Sequence, residues 1–282
     1  FLALLMLCSF WGLAFVAIKV GLNYLSPIAL TFLRFSIASL MFALYFLLRR
    51  ILIPLSLLPK VALLGLVGFT IYHLSLNLGE VEVAAGVASL VIACTPTFIA
   101  LLSRFLLKER VTALKAIGIA SAFLGLAVIL APNLKVSGSP FHVLAILPAP
   151  ISAALYTVLG KLYLRRCEPA VLTGYAQLLG LLLLTPVITR STLLEVAALP
   201  LEGWIPLLFL GACSTALGYT IWYKLLKVAE TSIVGSYIYL VSLIAVLSGH
   251  AILNEPLTPN LVAGGGLVVA GVYLVHRNRG AS

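Results

Sequence analysis

The sequence predicts an all-α polytopic membrane protein with ten transmembrane helices in two inverted five-helix repeats. Composition, a count of apolar segments and an internal duplication lead there. The 282 residues are 62% hydrophobic and 9% charged, with no aspartate, and the mean hydropathy is +1.19. A chain this apolar cannot hide its surface in one core, so lipid serves as solvent for much of it. A helix needs about 20 predominantly apolar residues to cross a bilayer. Cuts at prolines, glycines and charge clusters leave ten such segments: 2–20, 28–48, 60–79, 84–106, 112–130, 141–163, 170–189, 203–226, 232–252 and 260–276. Short joints leave no room for a separate soluble domain.

The duplication places five segments in each half, 1–135 and 136–282. Leu107, Glu109, Thr112, Gly118 and Gly125 recur 146 positions later as Leu253, Glu255, Thr258, Gly264 and Gly271. Gly65 and Gly211 keep that offset, while Lys19, Pro27 and Thr31 recur as Lys161, Pro169 and Thr173 at an offset of 142. Two copies of one bundle are a common ground plan of secondary transporters, with the substrate site between the copies.

Charge orients the segments. Arg49, Arg50 and Lys60 lie around the joint of the second and third, Lys108, Arg110 and Lys115 around that of the fourth and fifth, and Lys161, Arg165 and Arg166 around that of the sixth and seventh. Lys224 and Lys227 lie at the end of the eighth, and Arg277 and Arg279 follow the tenth. The opposite joints hold Lys135 and Arg190, with Lys19 near an end, and most of the acids. Basic joints stay cytoplasmic, so both termini are expected inside a cell membrane. Five is odd, so the second copy enters from the other side, with Glu109 inside and Glu255 outside. The net charge of +10 marks the inner face, where anionic lipid can assist, and requires no nucleic acid. The absence of N-x-S/T sequons agrees with a prokaryotic membrane.

Within the segments, Pro96 interrupts the fourth and Pro148 and Pro150 the sixth. Each removes a backbone hydrogen bond, giving a kink or carbonyls open to a cavity. Thr258 before Pro259 starts the tenth helix, and Glu109 and Glu255 just before helix N-termini read as structural. Gly118, Gly125, Gly264 and Gly271 read as close-packing positions. Cys8, Cys94, Cys167 and Cys213 are scattered, which predicts neither a disulfide framework nor a metal site.

Polar residues inside spans are the functional candidates. Thr70, His73, Asn77 and Glu80 share a face of the third helix, which should turn toward the bundle or a water-filled cavity. His73 can contact substrate or carry a proton; the plainer alternative is hydrogen bonding between helices. Arg34 can attract an anionic group, pair with Glu80 or snorkel to the interface. Aromatic walls with a few polar handles suit a small amphipathic solute. The substrate-binding candidates are Trp11, His73, Asn77, Tyr156, Gln177, Tyr219 and Tyr239, with Trp222 as a further wall residue. No cofactor is expected. The partners are a small molecule, membrane lipids and, through His73, protons.

The run Trp11-Gly12-Leu13-Ala14-Phe15-Val16-Ala17-Ile18-Lys19, with Pro27 and Leu33-Arg34-Phe35, resembles the first two helices of the drug/metabolite transporter superfamily, ten-helix EamA type. Pro96-Thr97-Phe98, Leu106-Leu107-Lys108-Glu109-Arg110 and Leu253-Asn254-Glu255-Pro256-Leu257-Thr258 are similar to its doubled helix junction. The second copy has Ala153 and Ala176 where the first has Trp11 and Arg34, so the halves should line the pathway unequally. The resemblance implies transport of amino acids, metabolites or nucleotide-linked sugars, often outward. No phosphate-binding loop supports ATP-driven transport; a passive channel is the other reading, and a membrane enzyme ranks below it because H-E-x-x-H and a nucleophile elbow are missing.

Overall fold

The computed structural model describes residues 2–108, 112–136, 140–229 and 231–277, and these form helices with no strand among them. In chain order we label α1 Leu2–Gly21, α2 Pro27–Arg49, α3 Leu55–Glu80, α4 Ala85–Leu106, α5 Ala113–Val136, α6 Pro140–Tyr163, α7 Pro169–Val187, α8 Leu201–Val228, α9 Thr231–Leu253 and α10 Pro259–Arg277. Eight of them are long and apolar enough to cross a membrane. In α5 and α10 the described apolar stretches, Ala113–Ile129 and Pro259–Gly271, are shorter. Leu40, Leu47, Leu124, Leu182 and Val262 are exposed on the helices, as expected of a surface solvated by lipid.

Local sequence accounts for the helix ends. The Ser26 side chain accepts the Ala29 N–H at the start of α2, with Pro27 at the next position. Thr258 Oγ1 accepts from Leu261 N at 3.2 Å and starts α10 as expected. Pro96 stands where α4 breaks, between Ile92 and Thr95, and Pro148 where α6 restarts after Leu147. Pro150 lies in the first turn of that restarted helix, where its missing N–H costs little. The short helix Arg190–Ala197 carries a capping box formed by Thr189 and Thr192. Its Glu195 accepts the Ser26 N–H at 2.8 Å.

Two pairs of repeat-equivalent helices, α5 with α10 and α4 with α9, meet antiparallel. A β-carbon on Gly264 would stand 2.6 Å from the Gly125 carbonyl oxygen, and one on Gly271 would collide with that of Gly118. Rising numbers on α5 thus meet falling numbers on α10, and the glycines permit an approach that larger residues would prevent. Along α4 and α9, Ser242 donates to the Ser89 carbonyl at 2.8 Å, while Gly86 lies by Val246. This is the relation that an inverted duplication requires. The halves also interlock: Gly12 of α1 packs on Ile244 of α9, and Ile99 of α4 clusters with Ala154 and Val158 of α6.

Two features depart from the sequence reading. Leu66–Ile71 in α3 and Phe209–Leu217 in α8 are π-helical, at equivalent places in the two halves. Thr70 Oγ1 lies 3.5 Å from Gly65 O and Thr215 Oγ1 2.8 Å from Leu210 O, each five residues back, so hydroxyls attend both widened turns. Glu255 does not serve its own helix. Its carboxylate accepts from Ala85 N at 2.7 Å and Gly86 N at 3.0 Å, capping α4 in the other half. Glu109 lies outside the described residues.

Candidate functional site

A narrow, mainly apolar cavity lies between the two halves, with about 50 Å³ open to water and about 640 Å³ in all when the space between atoms and its open mouth are counted. Its walls include Trp11, Arg34, Tyr72 and Leu76 from the first half and Ala153, Tyr156, Ser214, Tyr219 and Trp222 from the second. The Trp11 ring packs 5.2 Å from Tyr219 and 5.1 Å from Trp222, and its Nε1 donates to the Ser214 carbonyl at 3.0 Å. Gly218 makes this possible, since a β-carbon there would stand 2.6 Å from Trp11 Nε1. Tyr156 stacks on Tyr223 at 4.7 Å, and Tyr223 donates its hydroxyl to the Tyr156 carbonyl at 3.1 Å. A β-carbon on Gly68 would overlap the Tyr156 ring. These aromatic walls are therefore held by packing and backbone hydrogen bonds.

Arg34 is the cation of the wall. It is 3% exposed, donating from Nε to Thr215 Oγ1 at 2.6 Å and from Nη2 to Ser214 Oγ at 2.9 Å. It neither pairs with Glu80 nor snorkels, because the widened turn of α8 brings two adjacent hydroxyls to it in the interior. The Glu80 side chain is buried without a hydrogen bond among the described residues, and its backbone carbonyl receives the Lys19 ammonium at 2.7 Å.

Of the seven candidates, the structure brings Trp11, Tyr156 and Tyr219 together on the cavity wall. It places the other four elsewhere. His73 packs among Phe35, Phe69, Tyr72 and Tyr219, with Nδ1 3.0 Å from the Phe69 carbonyl. Asn77 donates to Thr31 Oγ1 at 2.7 Å, joining α3 to α2. Gln177 donates to the Phe35 carbonyl at 3.4 Å. The cavity-facing edge of α3 is Gly68, Tyr72 and Leu76, next to the polar stripe and turned from it by about 100° per residue. Tyr239 lines a different groove, between α4, α9 and α10. The sequence reading weighed Arg34 for an anionic group without counting it among the seven substrate-binding candidates, and it did not single out Tyr72 or Ser214.

No group of three or more potential metal ligands occurs among the described residues, and the four cysteines are free. Among the described residues that line the cavity there is no histidine, cysteine or carboxylate. The sequence profile of the EamA-like transporter family matches residues 1–131 and again 140–277. The chain belongs to the EamA-like transporter family. An "Uncharacterized transporter" of Archaeoglobus fulgidus is 41% identical over 271 residues, covering 96% of each chain. A "Probable terminal-alkyne amino-acid exporter" of Streptantibioticus cattleyicolor is 32% identical, over 98% of this chain and 92% of its own. A solved structure superposes with a TM-score of 0.67 over 98% of this chain and 96% of its own, at 20% identity, and shows the same fold. This EamA-like protein is a multi-pass membrane protein of a transporter family; the names of its family and relatives point to transport and not to catalysis.

Proposed function

We propose that this EamA-like protein is a secondary active exporter of small, partly apolar metabolites such as amino acids, working by alternating access across the cell membrane. In this reading the repeats 1–135 and 136–282 rock about the central cavity with both termini cytoplasmic. The observation that carries it is a cavity walled by both halves, two of whose equivalent helix pairs, α4 with α9 and α5 with α10, are antiparallel. Inverted copies can exchange their conformations, closing one side and opening the other while total packing changes little. Outward transport of amino acids draws on the name of the Streptantibioticus cattleyicolor relative.

The coupling ion in this reading is the proton, and His73 its candidate carrier, because imidazole exchanges a proton near neutral pH. The aromatic packing around His73 means that a proton arrives when the halves part. Single cysteines on the inner and outer walls of the cavity, labelled in vesicles with and without solute, test the mechanism. Reciprocal changes are expected; simultaneous access from both sides during transport would identify a channel. Solute flux that neither responds to a proton gradient nor alters one would remove the proton and leave the carrier.

A further inference from the structure

We propose that Arg34 anchors a carboxylate of the transported solute; this rests on the transporter reading above and adds the charge that the solute carries. Arg34 lies on the wall of an apolar cavity, 3% exposed, with its guanidinium away from water. Its described partners are two neutral hydroxyls, Ser214 Oγ and Thr215 Oγ1, and Nη1 makes no hydrogen bond. Among the described residues no carboxylate comes within 4.0 Å of it. A buried cation without a counterion is costly, and packing alone does not require one.

The way the guanidinium is held leaves room for an anion. Thr215 donates its own hydroxyl proton to the Leu210 carbonyl at 2.8 Å, so its oxygen is an acceptor toward Arg34 Nε. The two hydroxyls thereby take up Nε and one proton of Nη2. The remaining Nη2 proton and Nη1 form the fork that a carboxylate bridges with two parallel hydrogen bonds. Ser214 is a positioning residue twice over: its side chain accepts from Arg34, and its backbone carbonyl fixes the Trp11 indole. A carboxylate on Arg34 would place the rest of the solute against the aromatic wall. Among the described residues no acidic side chain lines the cavity, so an amino acid's ammonium group would face the rings of Trp11, Tyr219 and Trp222. The class of solute is an apolar monocarboxylate, with or without an α-amino group. A cation such as an amine or an amino-acid amide should be rejected.

The test uses the full chain in nanodiscs for thermal-shift binding and in proteoliposomes for counterflow. The probes are leucine and phenylalanine, their deaminated acids 4-methylpentanoate and 3-phenylpropionate, and the amides leucinamide and phenylalaninamide. At least one acid should bind, roughly tenfold or more tightly than its amide. Arg34→Gln should abolish that difference by weakening the acid alone, and Arg34→Lys should restore only part of it. If Arg34→Gln does not fold, Ser214→Ala, which keeps the charge, should weaken acids severalfold and leave amides unchanged. A merely structural Arg34 would lower thermal stability without altering the acid-to-amide ratio. The proposal is overturned if no carboxylate binds, if amides bind as well as acids, or if Arg34→Gln takes up an acid with the wild-type KM. Counterflow judges the carrier separately. Saturable exchange of an amide would retain the transporter and remove the arginine's role, whereas Arg34-dependent binding without exchange of any probe would remove alternating access and retain the site.

Discussion

Lys19 and Lys161 hold equivalent helix ends in the two halves. The Lys19 ammonium at the end of α1 donates to the carbonyls of Glu80, Val81 and Val83 at 2.7, 3.2 and 3.1 Å, where α3 finishes. Lys161 near the end of α6 donates to Leu226 and, at 2.7 Å, to Ala229, where α8 finishes. The two positions are 142 residues apart, the offset of the upstream part of the duplication. A cation among the unpaired carbonyls of a helix C-terminus satisfies hydrogen bonds and complements the helix dipole.

Lys19→Met and Lys161→Met should therefore each destabilise the protein, by about 1–3 kcal/mol for carbonyls left unpaired in a partly buried place. Thermal unfolding in detergent measures this. Unchanged melting in both variants would mean that water serves those carbonyls equally well.

Close packing of α5 on α10 predicts a sharp contrast between neighbouring glycines. Gly264→Leu meets a backbone oxygen that cannot move aside, and should cost about 3 kcal/mol or more with loss of monodisperse protein. Gly266→Leu should be tolerated, since a β-carbon there meets nothing within 4 Å. Size-exclusion profiles of the two variants decide the matter, and equal behaviour would refute the packing account.

Asn77 lies in a helix interface, so Asn77→Ala should act on stability and not on solute affinity. Loss of its bond to Thr31 should cost about 0.6–2 kcal/mol, the range of interhelical polar contacts in membranes. The KM for any transported solute should stay at the wild-type value. An altered KM at unchanged melting temperature would put Asn77 back in the pathway.

Topology is open to direct labelling in a cysteine-free background. Cysteines at positions 50 and 165 should react from the cytoplasmic side, and those at 82 and 255 from outside. Position 109 should label opposite to 255; labelling from one side would sink the inverted orientation. Native Cys167 lies between α6 and α7, where burial raises its thiol above the ordinary value, so little thiolate is available at neutral pH.

Much of the fold was legible because the bilayer fixes helix length and the duplication repeats its punctuation. Thr258–Pro259, Pro96 and Pro148 mark real helix starts or breaks, and the seven-residue glycine spacing marks the α5–α10 seam. Periodicity also showed correctly that Thr70, His73, Asn77 and Glu80 turn inward, for all are buried. It could not say what they turn toward. A stripe reports a direction and not a neighbour, and Tyr72 and Leu76, one position away, reach the cavity instead. The widened turns had no recognisable spelling, yet the one in α8 brings Ser214 and Thr215 to Arg34.

The unequal walls carry a consequence for the transport cycle. Arg34 and Trp11 face the cavity from one half, while their counterparts in the other are Ala176 and Ala153. If the halves were chemically identical, the inward-open and outward-open forms would be mirror states of equal free energy, and the machine would be indifferent to direction. With its cation on one rocker only, exchanging the two conformations does not map the site onto itself. In the proposed alternating-access cycle this chain would then hold its two open forms at unequal free energy, with a kinetic bias between loaded and empty returns, while the gradients set net direction. Its bias is set by a few side chains and could be retuned without altering the fold.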